Sequence, residues 1–328
     1  MNQTLAIIAN TWRQSRQQVV FIVMLVLLGI TVTIGIALPS VQYNAEGAEG
    51  IGFIFGDDEP SEFLKDSWYG QYHSTLLLQG QANVFESDSD NRPGILTKEM
   101  KEIIRARTIE TSLKEKGAQA WTSIIMSICY SIGLLLFIAA CSGYFPDLLA
   151  AGAIDVVLSK PISRTRVFFS KYLGGLFLFA IAMTTVALLL FVGLGLRLGV
   201  WNSGLLLTLP LTIFSASVLY GFLSFIGILK RSATLCIVVG YSLYLLVDSA
   251  LGTLMQLQMM GLLDEIAWLE KTGRWARYTL PNFEMLKSGA VNHILDVPSL
   301  PWMPVGIAAA WLAASLAFSN YLFCKRDY

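Results

Sequence analysis

Charged residues are scarce in this chain of 328 residues. They make up 14% of it, whereas a typical soluble domain contains about 25%. Basic and acidic residues balance, so the formal net charge is zero and nothing in the composition indicates a nucleic-acid partner. Apolar residues make up 55% of the chain and its mean hydropathy is +0.59, so we expect much of the side-chain surface to face a lipid bilayer.

Cysteine and histidine are too few and too scattered to build a disulfide framework or a metal site. The two histidines, His73 and His293, are isolated, whereas a metal site needs several ligands at defined spacing. We therefore predict no bound metal. The cysteines form no CxxC pair and lie in or beside apolar stretches, which favours small core residues. They are Cys129, Cys141, Cys236 and Cys324.

Catalytic signatures are absent as well. The sequence has neither a GxxxxGKS/T phosphate-binding loop nor a GxSxG nucleophile elbow. The chain therefore cannot supply the backbone that cradles nucleotide phosphates. We predict that it is not an enzyme, has no catalytic residues and binds no cofactor of its own.

Six long apolar stretches are present instead. At a rise of about 1.5 Å per residue, each can cross roughly 30 Å of hydrocarbon. The first is too long for the core of a signal peptide, so we interpret it as a retained span. We predict an all-α polytopic membrane protein with six transmembrane helices. The stretches are Val19–Leu38, Trp121–Cys141, Phe168–Leu196, Leu205–Leu229, Ala233–Thr253 and Met303–Phe323.

Basic residues collect in the short segments on one side of these spans. The positive-inside rule places that side in the cytoplasm, and an even number of spans then places both termini there. We predict a multi-pass protein of the plasma membrane, which in a bacterium is the inner membrane. Aromatic residues at the span ends are predicted to anchor at the membrane interfaces. The basic residues are Arg13, Arg16, Lys160, Arg164, Arg166, Lys171, Lys230, Arg231, Lys325 and Arg326. The aromatic anchors are Trp121, Trp201 and Trp302 on the outer side and Tyr144, Tyr172 and Tyr321 on the inner side.

Two polar segments fall on the outer side. Residues 1–38 are predicted to hold a short interfacial helix on the cytoplasmic face, Met1–Gln18, followed by the first span. Residues 39–120, between this segment and the bundle 121–328, are predicted to form a small mixed α/β extracytoplasmic domain that is steadied by a partner or a second copy. Its strands are expected at Ile51–Phe55 and Thr75–Phe85, and a charged helix at Leu96–Gly117. Residues 255–302 are predicted to be a re-entrant or interfacial segment.

The loop 142–170 between spans two and three contains the most specific stretch. Pro161 disfavours a helical conformation at Lys160, and Ser163 or Thr165 can cap the next helix. The pattern predicts a short helix on the cytoplasmic surface that can transmit a push from a soluble partner. The alternative is an ordinary connecting loop with positive-inside charges. The candidate residues are Asp147, Gly152, Asp155, Leu158, Ser159, Lys160, Pro161, Ser163 and Arg164.

These residues, followed by Lys171, resemble the cytoplasmic loop of the ABC-2-type permeases, the membrane subunits of one class of ATP-binding-cassette exporters. The six-span layout is also similar to that family, and so is the stretch Leu280–Glu284. The chain departs from the pattern at Ser170, where glycine is common, and in its large segment between spans one and two. We treat Pro281, Asn282, Phe283 and Glu284 as a candidate outer gate.

The resemblance implies a permease dimer, made of two copies or two related chains, that works with two cytoplasmic ATPase subunits. ATP and Mg²⁺ would lie on those subunits, and the substrate stays open. Other functions remain open. The ATPase could drive an extracytoplasmic partner bound to residues 40–120 without export. The chain could instead be a membrane-embedded anchor or enzyme. A secondary transporter is disfavoured because charged residues near the midplane are missing.

Two further features concern the inside of the bundle. Asp248 is the one acidic residue within a predicted span, and Arg197 ends span three at a similar depth. We predict that they form an intramembrane pair or that the carboxylate of Asp248 snorkels to the outer interface, with a place on a substrate path as the alternative. Small residues that allow close helix approach are predicted to pack within the bundle, with a dimer seam as the alternative. They are Gly193 and Gly195 in span three and, at four-residue spacing in span six, Ala309, Ala313 and Ala317.

Overall fold

The structure is a computed structural model of the full chain. It describes residues 19–43, 49–53, 113–149, 163–259, 271, 275–276, 278–296 and 301–325. Most of the predicted extracytoplasmic domain, and residues 150–162 of the loop 142–170, therefore lie outside the described residues.

The described part is built almost entirely from helices. Its helices are α1 (Val19–Ala37), α2 (Leu113–Cys141), α3 (Tyr144–Leu148), α4 (Arg164–Leu198), α5 (Gly204–Lys230), α6 (Ala233–Tyr241), α7 (Asp248–Met259), α8 (Phe283–Asn292) and α9 (Trp302–Lys325). Helices α6 and α7 are joined by a π-helical segment, Ser242–Val247. Two antiparallel strands, β1 (Pro39–Tyr43) and β2 (Glu49–Phe53), form a hairpin with Pro39 opposite Phe53.

Among the described residues, six helical stretches are long and apolar enough to cross a membrane, which agrees with the six predicted spans. They are α1, α2 with α3, α4, α5, α6 to α7 and α9. The helices extend beyond the apolar cores: α2 begins at Leu113 rather than Trp121, and α4 at Arg164 rather than Phe168. Polar residues at a span end continue the helix because its hydrogen bonds are made within the chain.

The ends of the helices define two ends of the bundle. We call the end at which α2 and α9 finish and α4 begins the basic end, after Arg166, Lys230 and Lys325. We call the opposite end, where α1 finishes and α5 begins next to β1 and β2, the hairpin end.

Helix α5 is the centre of the bundle and packs against α2, α4, α6, α8 and α9. It buries several hydroxyl side chains, each of which donates to a carbonyl of its own helix. Because these donors are satisfied locally, small polar residues can replace bulky ones at the core of the bundle. The hydroxyls belong to Thr208, Thr212, Ser215 and Ser224.

Small residues bring α5 and α9 close together. The Oγ atoms of Ser224 and Ser319 lie 3.3 Å apart, and a Cβ atom on Gly221 would lie 2.5 Å from Ser315 Oγ. The prediction that the alanines 309, 313 and 317 pack within the bundle is wrong, because all three are exposed. The contact between α5 and α9 runs instead along the face of α9 that contains Ser315 and Ser319. The predicted four-residue spacing of small residues is therefore present, but on a different face of the helix.

The hairpin is the described part of the predicted extracytoplasmic domain. Ile51 of β2 is buried and lies against Gly117 of α2, where an added Cβ would approach its side chain to 3.4 Å. The predicted strand at 51–55 overlaps β2, whereas the strand at 75–85 lies outside the described residues. Within the described residues, the hairpin packed on the end of the bundle gives no support for a mixed α/β domain.

Aromatic residues fill the basic end of the core. The rings of Tyr172 and Tyr220 stack with their centroids 4.8 Å apart, and Tyr144 meets Tyr220 edge-on at 6.3 Å. Tyr144 and Tyr172 are both buried, so they are not the interfacial anchors predicted from the sequence. Tyr321 is exposed, as are Trp201 and Trp302 at the hairpin end.

Replacement of Gly204 tests the close contact between α5 and α8. A Cβ atom at Gly204 would overlap the backbone carbonyl of His293, just beyond α8, so Gly204→Ala must push α8 away from α5. We expect a loss of about 1–3 kcal/mol in stability, seen as a lower thermal unfolding midpoint in detergent. Gly306→Ala is the control, since nothing lies within 4 Å of its added Cβ, and it should be neutral or stabilising. Equal midpoints for the two variants would contradict this packing.

Candidate functional site

A buried carboxylate organises the hairpin end of the bundle. Asp248, the first residue of α7, is buried, and its Oδ1 accepts hydrogen bonds from the backbone N–H groups of Phe283 (2.7 Å) and Glu284 (3.2 Å). These are the first two residues of α8. The negative charge therefore lies at the positive end of a helix, where it satisfies two amides that the helix itself leaves without partners.

Asn282 completes the cap of α8. Its backbone is extended, and its Oδ1 accepts from the N–H of Met285 at 2.8 Å. Three consecutive amides of the first turn are thus bound by two side chains, one from α7 and one local. A hydrogen bond to a charged group contributes about 1.5–3 kcal/mol, so Asp248 is the stronger of the two anchors.

Tyrosines from two spans surround this contact. The hydroxyl of Tyr130 on α2 donates to the carbonyl of Phe283 at 3.3 Å. The ring of Tyr244, within the π segment, lies edge-on to the ring of Phe283 with centroids 5.9 Å apart. Phe283 is itself fully buried, whereas the side chain of Glu284 is exposed and pairs with Lys287 at 2.5 Å.

Two candidates that the sequence predicts separately therefore meet in the structure. The stretch Pro281–Glu284 and the intramembrane acid Asp248 share one contact, which joins the fifth span to the short helix before the sixth. We call this contact the α8 cap, formed by Asp248, Asn282, Phe283 and Glu284. The sequence gives no sign of the role of Tyr130 or Tyr244, because an aromatic residue within an apolar span is ordinary.

The predicted pair between Arg197 and Asp248 is wrong. Arg197 donates from Nε to the carbonyl of Pro39 and from Nη2 to that of Ala37, both at 2.7 Å. Ala37 is the last residue of α1, where a helix leaves carbonyl groups without partners, and Pro39 is the first residue of β1. Each charge thus meets a helix end of opposite polarity rather than the other charge.

The π segment is a second feature that the sequence analysis missed. It lies directly before Asp248, in the middle of the fifth span. Such segments are rare within helices and occur often at functional sites. The buried positions Cys236, Gly240, Tyr244 and Asp248 follow a strict four-residue spacing, which a regular helix of 3.6 residues per turn does not keep on one face. Because burial is visible only in the structure, the sequence alone does not show this spacing.

We call the stretch that holds the predicted coupling residues, 147–164 at the basic end, the coupling strip; the structure describes only its two flanks. Asp147 lies in α3, and Ser163 stands before α4 without a side-chain capping bond. Arg164 donates from Nη1 to the carbonyl of Cys324 at 3.1 Å, which ties the start of α4 to the end of α9. The residues between the flanks lie outside the described residues: Gly152, Asp155, Leu158, Ser159, Lys160 and Pro161.

Lys171, the last residue of the motif, is not an exposed loop charge. It is buried in α4 with its Nζ 5.4 Å from the centroid of the Tyr144 ring, and it is attracted by Asp147. A cation over an aromatic face is stabilised by the ring quadrupole. Lys171 thus ties α4 to α3 and to the aromatic core at the basic end.

The cysteines divide into two groups. Cys129, Cys141 and Cys236 are buried, as predicted for core residues, whereas Cys324 is exposed near the end of α9. Among the residues that the structure describes, no three His, Cys, Asp or Glu side chains come close enough to hold a metal ion.

Within the described residues, the chain thus forms a bundle with six helical stretches that are long and apolar enough to cross a membrane, and charged side chains bind backbone groups at several of its helix ends. Residues 104–328 match a family model described as "Protein of unknown function (DUF2705)", and the chain belongs to this family. The match covers α2 to α9, so the α8 cap, the π segment and the coupling strip all lie within it. No curated protein matches the chain.

Replacement of Arg197 tests its role at the junction of α1 and β1. Arg197→Ala removes the hydrogen bonds to the carbonyls of Ala37 and Pro39, and we expect a stability loss of about 1.5–3 kcal/mol. Faster amide hydrogen exchange in the hairpin should accompany it. Arg166→Ala, which removes another exposed arginine from the same helix, is the matched control and should stay within about 0.5 kcal/mol of the wild type. Indistinguishable unfolding of the two variants would refute the capping role.

Proposed function

We propose that this protein is the membrane-spanning permease subunit of an ATP-driven exporter. A separate chain would hydrolyse ATP, and the coupling strip between α3 and α4 would receive the resulting movement. The observation that carries the proposal is the placement of the strip's flanks. Asp147 and Arg164 lie at the basic end, where both are attached to other spans rather than to a free loop.

These attachments give the strip a way to act on the bundle. Helix α3 packs against α5 and α6, and Arg164 holds the end of α9. Movement of the strip would therefore reach three spans directly. Helix α4 continues for 35 residues to the hairpin end, so it also offers a rigid connection of about 52 Å between the two ends.

The orientation and assembly belong to the same proposal. The basic end would face the cytoplasm of a bacterial cell, and the hairpin end would face outward, with residues 39–120 as an extracytoplasmic domain. A second copy of the chain would complete the permease. The α8 cap would then lie at the outer side, where a gate for an exported substrate is needed.

A second candidate function is mechanical work on an extracytoplasmic partner without export. One observation favours it: the hairpin is fixed to the spans at both of its strands. Arg197 of α4 binds the carbonyl of Pro39 in β1, and Ile51 in β2 lies against α2. A segment held in this way would follow any movement of α4.

A charge reversal tests the coupling strip. When the tagged chain is purified from its own membranes, Lys160→Glu should abolish co-purification of a partner ATPase with a GxxxxGKS/T motif. Lys325→Glu makes the same charge change at the basic end outside the strip and should leave recovery unchanged. Arg164 is unsuitable for this test because it also holds the end of α9.

Two results would contradict the proposal. The wild-type chain could yield no such ATPase, or Lys160→Glu could retain it together with full ATP hydrolysis. Mechanical work and export are then separated by deleting residues 54–112. Continued ATP hydrolysis and transport after this deletion would oppose the mechanical alternative.

A further inference from the structure

We propose that the fifth span contains a register switch, in which the π segment Ser242–Val247 sets whether Asp248 or Val247 faces α8. With Asp248 in place, the α8 cap is formed; with Val247 in place, it is released. This inference goes beyond the transport function and does not require an ATPase partner.

The spacing of buried residues shows what the π segment does. On a regular α-helix of 3.6 residues per turn, each step of four residues drifts by about 40°. Three such steps separate Cys236 from Asp248, so a continuous α-helix would turn Asp248 by about 120° from the buried face. The wider π turn absorbs this drift, and all four positions of the series stay buried.

The same sequence therefore has a second register. If the π segment became α-helical, α7 would rotate by about 100°, the turn of one residue. Val247 would then face α8, and Asp248 would move toward the side on which Ser249 is exposed. Valine has no acceptor for the amides of Phe283 and Glu284, so the first turn of α8 would lose two of its three capping bonds.

Release would be confined to the start of α8. Its far end remains attached because Asn202 donates to the carbonyl of Ile294 at 2.7 Å. The segment before it is held by Trp311, whose Nε1 donates to the carbonyl of Thr279 at 2.5 Å. The contact between the fifth span and α8 can thus open and close while the chain on either side of it stays attached. Conformational switches use local elements with two such states.

The first experiment tests the cap. Hydrogen exchange of the purified full chain in lipid nanodiscs is followed at the amides of Phe283 and Glu284. Asp248→Ala should speed their exchange by about tenfold or more, because a hydrogen bond to a charged group is lost. Ser249→Ala changes the next, exposed position and should leave the exchange unchanged. Unchanged exchange in Asp248→Ala would overturn the proposal.

The second experiment tests the register. Exchanging the two residues, Val247→Asp with Asp248→Val, keeps the composition but moves the carboxylate to the alternative register. If the segment can become α-helical, the cap re-forms and exchange stays within about threefold of the wild type. Exchange as fast as in Asp248→Ala would show that the register is fixed, which overturns the switch.

A deletion covers the case in which the exchanged variant does not fold. Removing Leu246, which is exposed, takes out the extra residue of the π segment and leaves Asp248 on the buried face of a continuous α-helix. The alternative register no longer exists, so the two amides should exchange more slowly than in the wild type. Equal or faster exchange would overturn the proposal. Neither variant depends on export, so these results are independent of the ATPase recovery.

Discussion

Backbone groups at helix ends are the constraint on which this structure depends. Every helix leaves amides at its start and carbonyls at its end without partners of its own, and other groups must bind them. Three charged side chains do so at three helix ends. Asp248 binds the first amides of α8, Arg197 binds the carbonyl of the last residue of α1, and Arg164 binds a carbonyl in the last turn of α9.

Both arginines belong to α4, one near each end, so a single long helix holds two spans that are remote in sequence. This arrangement links the motif at the basic end to the hairpin at the opposite end through one rigid element. The α8 cap lies apart from α4 and depends on the fifth span. The bundle thus has two connections between its ends, one through α4 and one that includes the π segment.

The spans could be predicted because a helix needs about 20 apolar residues to cross the lipid, and such runs are visible in the sequence. The partners of individual charged residues could not be predicted. Arg197 and Asp248 lie at similar depths, and opposite charge favoured a pair, but each met a helix end that only the fold creates. The small-residue spacing of α9 was visible, whereas the face that packs on α5 was not, because both faces contain small residues. Pro281–Glu284 was found through resemblance, and its contact with Asp248 required the structure.

The central claim is that the basic end and the hairpin end lie on opposite faces of the membrane, with the basic end inward. The most direct test labels cysteines in spheroplasts with a membrane-impermeant maleimide. Cys324 reports on the basic end, and Ser203→Cys combined with Cys324→Ser reports on the hairpin end; both positions are exposed. We predict that position 203 is labelled in intact spheroplasts and Cys324 only after permeabilisation. Labelling of both positions from the same side would contradict the account.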